Sequence, residues 1–197
     1  MSDMTATGAG EATAADTPAR HRERDHRQYR FAVFLFILSQ AAAFFLLINV
    51  RYALAGSDVL PGLSPLLGGL LPTLLLAVSC APVWLAMRAL NSGDWRRVKK
   101  RAAFAWWLGL AALATMVWPL ASHSFDAFNP YGEVYLTALG VSGFFTVVAL
   151  IALGGVVIRA RKNLIAGEHA WSAEAAALFW NFNALGWSAL YIVFYFV

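Results

Sequence analysis

Five long apolar stretches run along this chain, separated by short polar segments. The stretches cover residues 31–55, 66–90, 102–122, 134–158 and 175–197. Each reaches the roughly 20 residues that a helix needs to cross about 30 Å of hydrocarbon. None shows the alternation of polar and apolar positions that the strands of a membrane β-barrel require. The pattern therefore predicts an all-α, polytopic membrane bundle with five transmembrane helices.

Lysine and arginine are concentrated in alternate segments between the apolar stretches. They precede the first stretch, lie between the second and third stretches, and follow the fourth. Arg51, near the C-terminal end of the first stretch, is the exception. Cytoplasmic loops collect Lys and Arg, so the distribution predicts a cytoplasmic N-terminus and a C-terminus outside the membrane. The formal net charge of +4 then reflects topology and contact with anionic lipid headgroups, and nucleic acid is excluded as a partner.

The chain divides after residue 30 into a polar tail and a membrane domain. Residues 1–30 are rich in Ala, Thr and Gly and then in Arg, which predicts a disordered basic cytoplasmic tail with a short surface helix over 21–30. Residues 31–197 are predicted to form one five-helix domain. Segment 91–94 predicts a turn between the second and third helices, and Ser172 is the predicted N-cap of the fifth.

The apolar stretches carry no Asp, Glu, Lys, Arg or His near their middle. Ionisable groups within a membrane mark ion paths and proton relays, so this pattern argues against an ion pump, a proton relay and a redox-metal site. The neutral Ser, Thr, Asn and Gln residues are interpreted as interhelical hydrogen-bonding groups, with a polar substrate path as the alternative. Five glycines are expected to permit close approach of helices: Gly140, Gly143, Gly154, Gly155 and Gly186.

Ligands for metals and haem are scarce along the chain. Cys80 is the single cysteine, which excludes an intrachain disulfide and a cysteine metal cluster. The pairs His123 with Asp126 and Glu168 with His169 supply two ligands each, fewer than a metal site needs, and are interpreted as exposed loop residues. Since the apolar stretches lack histidine, a histidine ligand for haem within the bilayer is excluded. No catalytic, cofactor-binding or metal-binding residue is assigned.

Four segments resemble subunit III of the haem-copper oxidases, the cytochrome c and quinol oxidase family. They are FLFILSQAAAFF from residue 34, LPTLLLAVSC from residue 71, LGVSGFFTVVA from residue 139 and FWNFNALGW from residue 179. They are similar to the family patterns L-F-x-x-S-E-x-x-x-F, a Thr followed by Ser-Ser, G-x-H-G-x-H-V-x-x-G and W-H-F-V-D-V-V-W. The order of the segments and the number of spans agree with the five-helix form of the family.

The chain departs from these patterns mainly where the family has ionisable residues. Gln40 replaces the glutamate, Ser142 and Phe145 replace the two histidines of the third pattern, and Asn181 and Ala184 replace the histidine and aspartate of the fourth. The positions that carry the resemblance, as structural residues or along a lipid or gas path, are Gln40, Thr73, Ser79, Gly140, Ser142, Gly143, Phe145, Trp180, Asn181 and Trp187. The interpretation is a divergent member in which the buried polar network has dissolved.

The resemblance implies a non-catalytic accessory subunit of a terminal oxidase or nitric oxide reductase in the bacterial cytoplasmic membrane. Such a subunit packs on the catalytic haem-copper subunit I and is expected to meet subunit II. Haem and copper are expected in these partners and not in this chain. Phospholipid is expected in a cleft between the first two helices and the rest. A small transporter or channel, which requires a polar pathway, and an assembly factor that leaves the mature oxidase are the alternatives.

Overall fold

The computed structural model describes residues 18–55, 65–122, 128–162 and 170–196. This part of the chain contains a six-residue π-helical segment, Pro65–Leu70, and five α-helices: α1 Pro18–Ala55, α2 Leu71–Asn91, α3 Trp95–Ala121, α4 Pro130–Arg161 and α5 Ala170–Tyr195. Each α-helix is long and apolar enough to cross a membrane, and the described residues include no strand. The prediction of an all-α bundle with five spans is confirmed. The orientation in the membrane and the boundary at residue 31 stay predictions.

The helices extend beyond the predicted apolar stretches into the charged segments. α1 begins at Pro18, inside the segment assigned to the tail, whose residues 1–17 lie outside the described part. α5 begins at Ala170, so Ser172 lies in its first turn and the N-cap prediction for Ser172 is wrong. Charged residues such as Arg and Lys are good helix formers, and a helix does not have to end where the hydrocarbon ends.

The turn between α2 and α3 lies where the sequence predicts it. Gly93 has a φ of 72°, a left-handed conformation that glycine adopts without steric cost. The Asp94 side chain then accepts a hydrogen bond from the Arg97 backbone N–H at 3.0 Å and caps α3. Because the turn is this short, α2 and α3 pack antiparallel.

Two ends of the bundle can be distinguished by the residues that meet there. At one end, which we call the basic end, a cluster of small apolar residues joins the end of α2, the start of α3, the end of α4 and the start of α5. Its members are Ala89, Leu90, Val98, Val156, Ala160, Ala173 and Ala176. The opposite end holds Arg51, Tyr131 and Phe194. This arrangement is the one expected for helices that cross a layer in alternating directions.

The helix α1 stands apart from a group formed by the other four. α2 packs on α3 and α5, α3 packs on α4, and α4 packs on α5. Within the described residues α1 contacts α4 and α5 but neither α2 nor α3. The first two helices therefore do not form the pair that the resemblance implies, because α2 lies within the four-helix group.

Only some of the glycines lie at close helix contacts. A Cβ on Gly186 would approach the Phe44 ring of α1 to 2.7 Å, and one on Gly109 of α3 would come within 2.7 Å of Trp180 Cζ2 of α5. A Cβ on Gly140 or Gly155 would meet nothing within 4 Å. The prediction is confirmed for Gly186 and wrong for Gly140 and Gly155.

At the remaining two predicted glycines, Gly143 and Gly154, an added Cβ would lie farther from its neighbours than at Gly186. A Cβ on Gly143 would make an ordinary contact with Leu113 at 3.9 Å, so this glycine does not bring two helices together either. A Cβ on Gly154 would lie 3.3 Å from Trp106 Nε1, which is tight. The close contact at Gly109 is one that the sequence analysis did not predict.

We predict that Gly109→Ala destabilises the bundle by about 1–3 kcal/mol, because overpacking forces neighbouring groups to shift. The measurement is the thermal midpoint of the purified protein in detergent. Gly140→Ala is the matched control, and its midpoint should stay the same or rise, since an alanine is more favourable than glycine inside a helix. Equal midpoints for the two variants would contradict the close contact at Gly109.

Candidate functional site

Three polar side chains of α5 point into the bundle from one face of the helix. Trp180, Asn183 and Trp187 are spaced at i, i+3 and i+7, which places them on a common stripe, and each is at least 98% buried. Their nitrogen atoms donate hydrogen bonds to hydroxyl groups on α2 and α4. The stripe is thus the polar seam that joins α5 to its neighbours.

The two tryptophans each use a hydroxyl on α2. Trp180 Nε1 donates to Ser79 Oγ at 2.8 Å, and Ser79 Oγ donates to the Leu76 carbonyl at 2.6 Å. Trp187 Nε1 donates to Thr73 Oγ1 at 2.9 Å, and Thr73 Oγ1 donates to the Gly69 carbonyl at 2.7 Å. Because each hydroxyl both accepts and donates, neither the tryptophan N–H nor the hydroxyl is left without a partner, and the surrounding hydrocarbon offers no alternative partner.

Asn183 makes the corresponding link to α4. Its Nδ2 donates to Thr146 Oγ1 at 3.0 Å, and Thr146 Oγ1 donates to the Ser142 carbonyl at 2.8 Å. Thr146 and Asn183 are both buried, with exposed fractions of 0% and 1%. The contact lies in the middle of both helices, where neutral hydrogen bonds are expected to hold transmembrane helices together.

Four of the other family-signature positions, Gln40, Asn181, Phe145 and Gly140, do not join this seam. Gln40 and Asn181 are half-buried, and among the described residues neither amide has a hydrogen-bond partner. Phe145 is buried and packs against the rings of Phe44 and Phe179, with centroid distances of 5.4 and 6.2 Å. Gly140 is exposed. The structure therefore brings together Ser79 with Trp180 and Thr73 with Trp187. Ser142 joins the seam through its carbonyl, which accepts from Thr146.

Arg51 is a buried residue that sequence reasoning treated as a topological exception. It has no exposed surface, and its guanidinium carbon lies 4.6 Å from the centroid of the Tyr131 ring of α4. Tyr131 in turn donates a hydrogen bond to the Phe194 carbonyl of α5. A guanidinium over an aromatic face is favourable when both are removed from water. The signal in the sequence was the isolated position of Arg51 at the end that lacks other basic residues.

At the basic end α1 is joined to α5 by two side-chain pairs. The rings of Tyr29 and Trp171 are stacked, with centroids 4.5 Å apart and planes within 8°. Arg30 Nε and Nη2 both donate to Glu174 Oε2, at 3.2 and 3.0 Å. Together with Arg51 these contacts attach α1 to the group at both of its ends.

Between these attachments α1, α4 and α5 enclose an open groove of about 380 Å³. We call it the α1–α4 groove. Its walls are almost entirely apolar and include Phe36 of α1 and Ile151 and Gly155 of α4. Arg159 and Trp171 lie at its basic end, where Arg159 Nη1 donates to Ser172 Oγ at 2.7 Å.

The residues with the chemistry of metal ligands do not gather in the described part of the chain. Among the residues described, no group of three His, Cys, Asp or Glu side chains lies close enough to hold a metal ion. The two predicted loop pairs, His123 with Asp126 and Glu168 with His169, lie outside the described residues.

Comparison with known families decides what this bundle is related to. The family model described as cytochrome c oxidase subunit III matches residues 10–197. The chain belongs to the cytochrome c oxidase subunit III family. A search among curated proteins found no match. As a subunit III family member the chain is a multi-pass membrane protein of the respiratory chain.

The subunit III patterns give the α4–α5 seam a further meaning. The pattern G-x-H-G-x-H-V, aligned on Gly140 and Gly143, has a valine where this chain has Thr146. The pattern W-H-F-V-D, aligned on Trp180, has a valine where this chain has Asn183. Thr146 and Asn183 form the interhelical hydrogen bond. Thr146 directly follows Phe145, which stands at a histidine of the pattern, and Asn183 directly precedes Ala184, which stands at the aspartate. The expectation that the buried polar network has dissolved is wrong: neutral polar groups form one at neighbouring positions.

We predict that Trp180→Phe and Ser79→Ala are energetically coupled by about 0.6–1.7 kcal/mol, which spans the average and the maximum measured for hydrogen bonds between membrane helices. The coupling is obtained from a double-mutant cycle on unfolding in detergent. Ser188→Ala serves as the control partner, because Ser188 Oγ donates within its own helix to the Ala184 carbonyl at 2.7 Å. Additive effects for Trp180 with Ser79 would contradict the assigned hydrogen bond.

Proposed function

We propose that this chain is a non-catalytic accessory subunit of a membrane haem-copper oxidoreductase, which stabilises the catalytic subunit and holds phospholipid in the α1–α4 groove. The observation that carries the lipid-binding part of the proposal is the groove, because it combines apolar walls with a cation at one end. The oxidase part rests on membership of the subunit III family. Such a cleft matches the amphipathic shape of a phospholipid.

The walls of the groove favour acyl chains. Ile151 is 70% exposed and Phe36 is 50% exposed. Both side chains are therefore accessible to an acyl chain that lies in the groove. The volume of about 380 Å³ lies within the range of small-molecule sites in proteins. Packing within such a groove orders a lipid chain more than the fluid bilayer does.

The basic end of the groove favours a phosphate. Arg159 is exposed and uses one Nη1–H on Ser172 Oγ, while a guanidinium has five N–H donors in a planar fork that fits phosphate oxygens. Trp171 lies beside it, and tryptophan is enriched at the level of lipid headgroups. Arg159 and Trp171 are therefore the residues that we assign to the headgroup.

Membership of the subunit III family supports association with catalytic oxidase subunits. We infer that the partners are subunit I and subunit II of a terminal oxidase or nitric oxide reductase, and that these hold the haem and copper. The alternation of basic segments supports a cytoplasmic N-terminus in a bacterial cytoplasmic membrane. In this orientation the basic end and the headgroup residues face the cytoplasm.

We predict that a tagged form of the chain, purified in mild detergent from its own membranes, brings down a larger subunit and the visible absorption spectrum of haem. The chain expressed and purified alone serves as the control and should lack this spectrum. Stoichiometric haem on the isolated chain would contradict the non-catalytic assignment. Recovery of the partner from immature complexes and not from the mature oxidase would instead identify an assembly factor.

We predict that Gly155→Leu lowers the number of phospholipids that copurify with the chain, because its side chain fills the groove. Quantification of extracted lipid by mass spectrometry gives the lipid-to-protein ratio. Gly140→Leu is the matched control, since Gly140 is also on α4 with nothing within 4 Å of a Cβ but does not line the groove. Equal lipid ratios for the two variants would contradict lipid binding in the groove without affecting the oxidase assignment.

A further inference from the structure

Two buried polar atoms at the α4–α5 seam have no hydrogen-bond partner within the described structure. They are Ser142 Oγ and Asn183 Oδ1, on residues with exposed fractions of 0% and 1%. Buried polar side-chain atoms in native proteins are mostly bonded to protein or to ordered water. Two such atoms on adjacent helices therefore need partners that the described protein atoms do not supply.

Other atoms of Ser142 and Asn183 hydrogen-bond to the same residue, Thr146. Thr146 Oγ1 accepts from Asn183 Nδ2 at 3.0 Å and donates to the Ser142 carbonyl at 2.8 Å. Ser142 is one helical turn from Thr146 on α4, so its side chain lies on the same face of that helix. Asn183 Oδ1 belongs to the amide group that is bonded to Thr146, so both atoms belong to residues that hydrogen-bond to Thr146.

The chemistry of the two atoms limits what can bind between them. The Ser142 hydroxyl can donate a hydrogen bond, and Asn183 Oδ1 can only accept one. The nearby groups, Phe145 and Met116, are apolar, with Met116 Sδ lying 4.0 Å from Thr146 Oγ1. A ligand that bonds to both atoms must therefore be small and neutral, and it must donate a hydrogen bond to Asn183 Oδ1; a ligand that also accepts uses the Ser142 hydroxyl as a donor.

We propose that one water molecule binds between Ser142 and Asn183, accepting a hydrogen bond from Ser142 Oγ and donating one to Asn183 Oδ1. Buried waters characteristically satisfy polar groups that would otherwise lack partners. The water provides a second polar link between α4 and α5 beside the direct bond from Asn183 to Thr146. Ser142 and Asn183 do not line the α1–α4 groove, and the proposal does not depend on lipid binding.

The direct test is a map of the full chain, with the partners it retains, at a resolution that shows ordered water. A density peak within hydrogen-bonding distance of both Ser142 Oγ and Asn183 Oδ1 is expected. A map that resolves other buried waters and shows none here overturns the proposal. This measurement needs no variant and is therefore independent of effects on folding.

A double-mutant cycle tests whether the two side chains depend on each other. Ser142→Ala should lower the thermal midpoint by about 2–4 °C in a chain of this size, and should have little effect in a chain that also carries Asn183→Leu. Ser188→Ala is the control, since Ser188 Oγ bonds only within its own helix, and it should behave alike in both backgrounds.

The outcomes distinguish a bound water from a direct bond between the two side chains and from a hydroxyl without a partner. Coupling together with a density peak supports the bound water. Coupling without a peak overturns it in favour of a direct bond between Ser142 and Asn183. An unchanged or raised midpoint for Ser142→Ala in both backgrounds also overturns it, because the hydroxyl then lacks a partner.

Discussion

The bundle depends on the seating of Trp180, a large side chain placed where three helices meet. Its ring lies against Gly109 of α3, where a Cβ would be too close, and its Nε1 donates to Ser79 of α2. In lipid, apolar surface is as well accommodated by acyl chains as by another helix, so close packing and hydrogen bonds decide which helices associate. Trp180 supplies both: its hydrogen bond fixes α5 against α2, and its ring reaches across the group to Gly109 of α3, a helix on which α5 does not itself pack.

The polar seam joins transmembrane helices through neutral hydrogen-bonding groups. A buried charge in hydrocarbon is expensive and persists mainly where function requires it. Here Thr146 and Asn183 stand beside positions where the family patterns have ionisable residues, and they bond to each other across α4 and α5. A neutral pair connects the two helices without the cost of placing charge in the bilayer.

The arrangement of α1 gives the bundle its asymmetry. Arg51 stacks over Tyr131 at one end, and the Arg30–Glu174 and Tyr29–Trp171 pairs attach the other end. In between, α1 meets α5 closely where Phe44 lies on Gly186 and stands away from α4 along the groove. A helix held firmly at its ends and separated from a neighbour between them leaves room for a lipid chain without loss of the fold.

The sequence by itself determined the five spans, the turn at Gly93 and the family, because span length, basic segments and motif order are properties of the linear chain. It did not reveal which glycines touch another helix, that Arg51 is buried, that α2 packs away from α1, or that Thr146 bonds to Asn183. These features depend on how each helix is rotated and which helix it meets. A transmembrane helix is apolar on every side, so its pattern does not mark the buried face, and only the tertiary packing selects it.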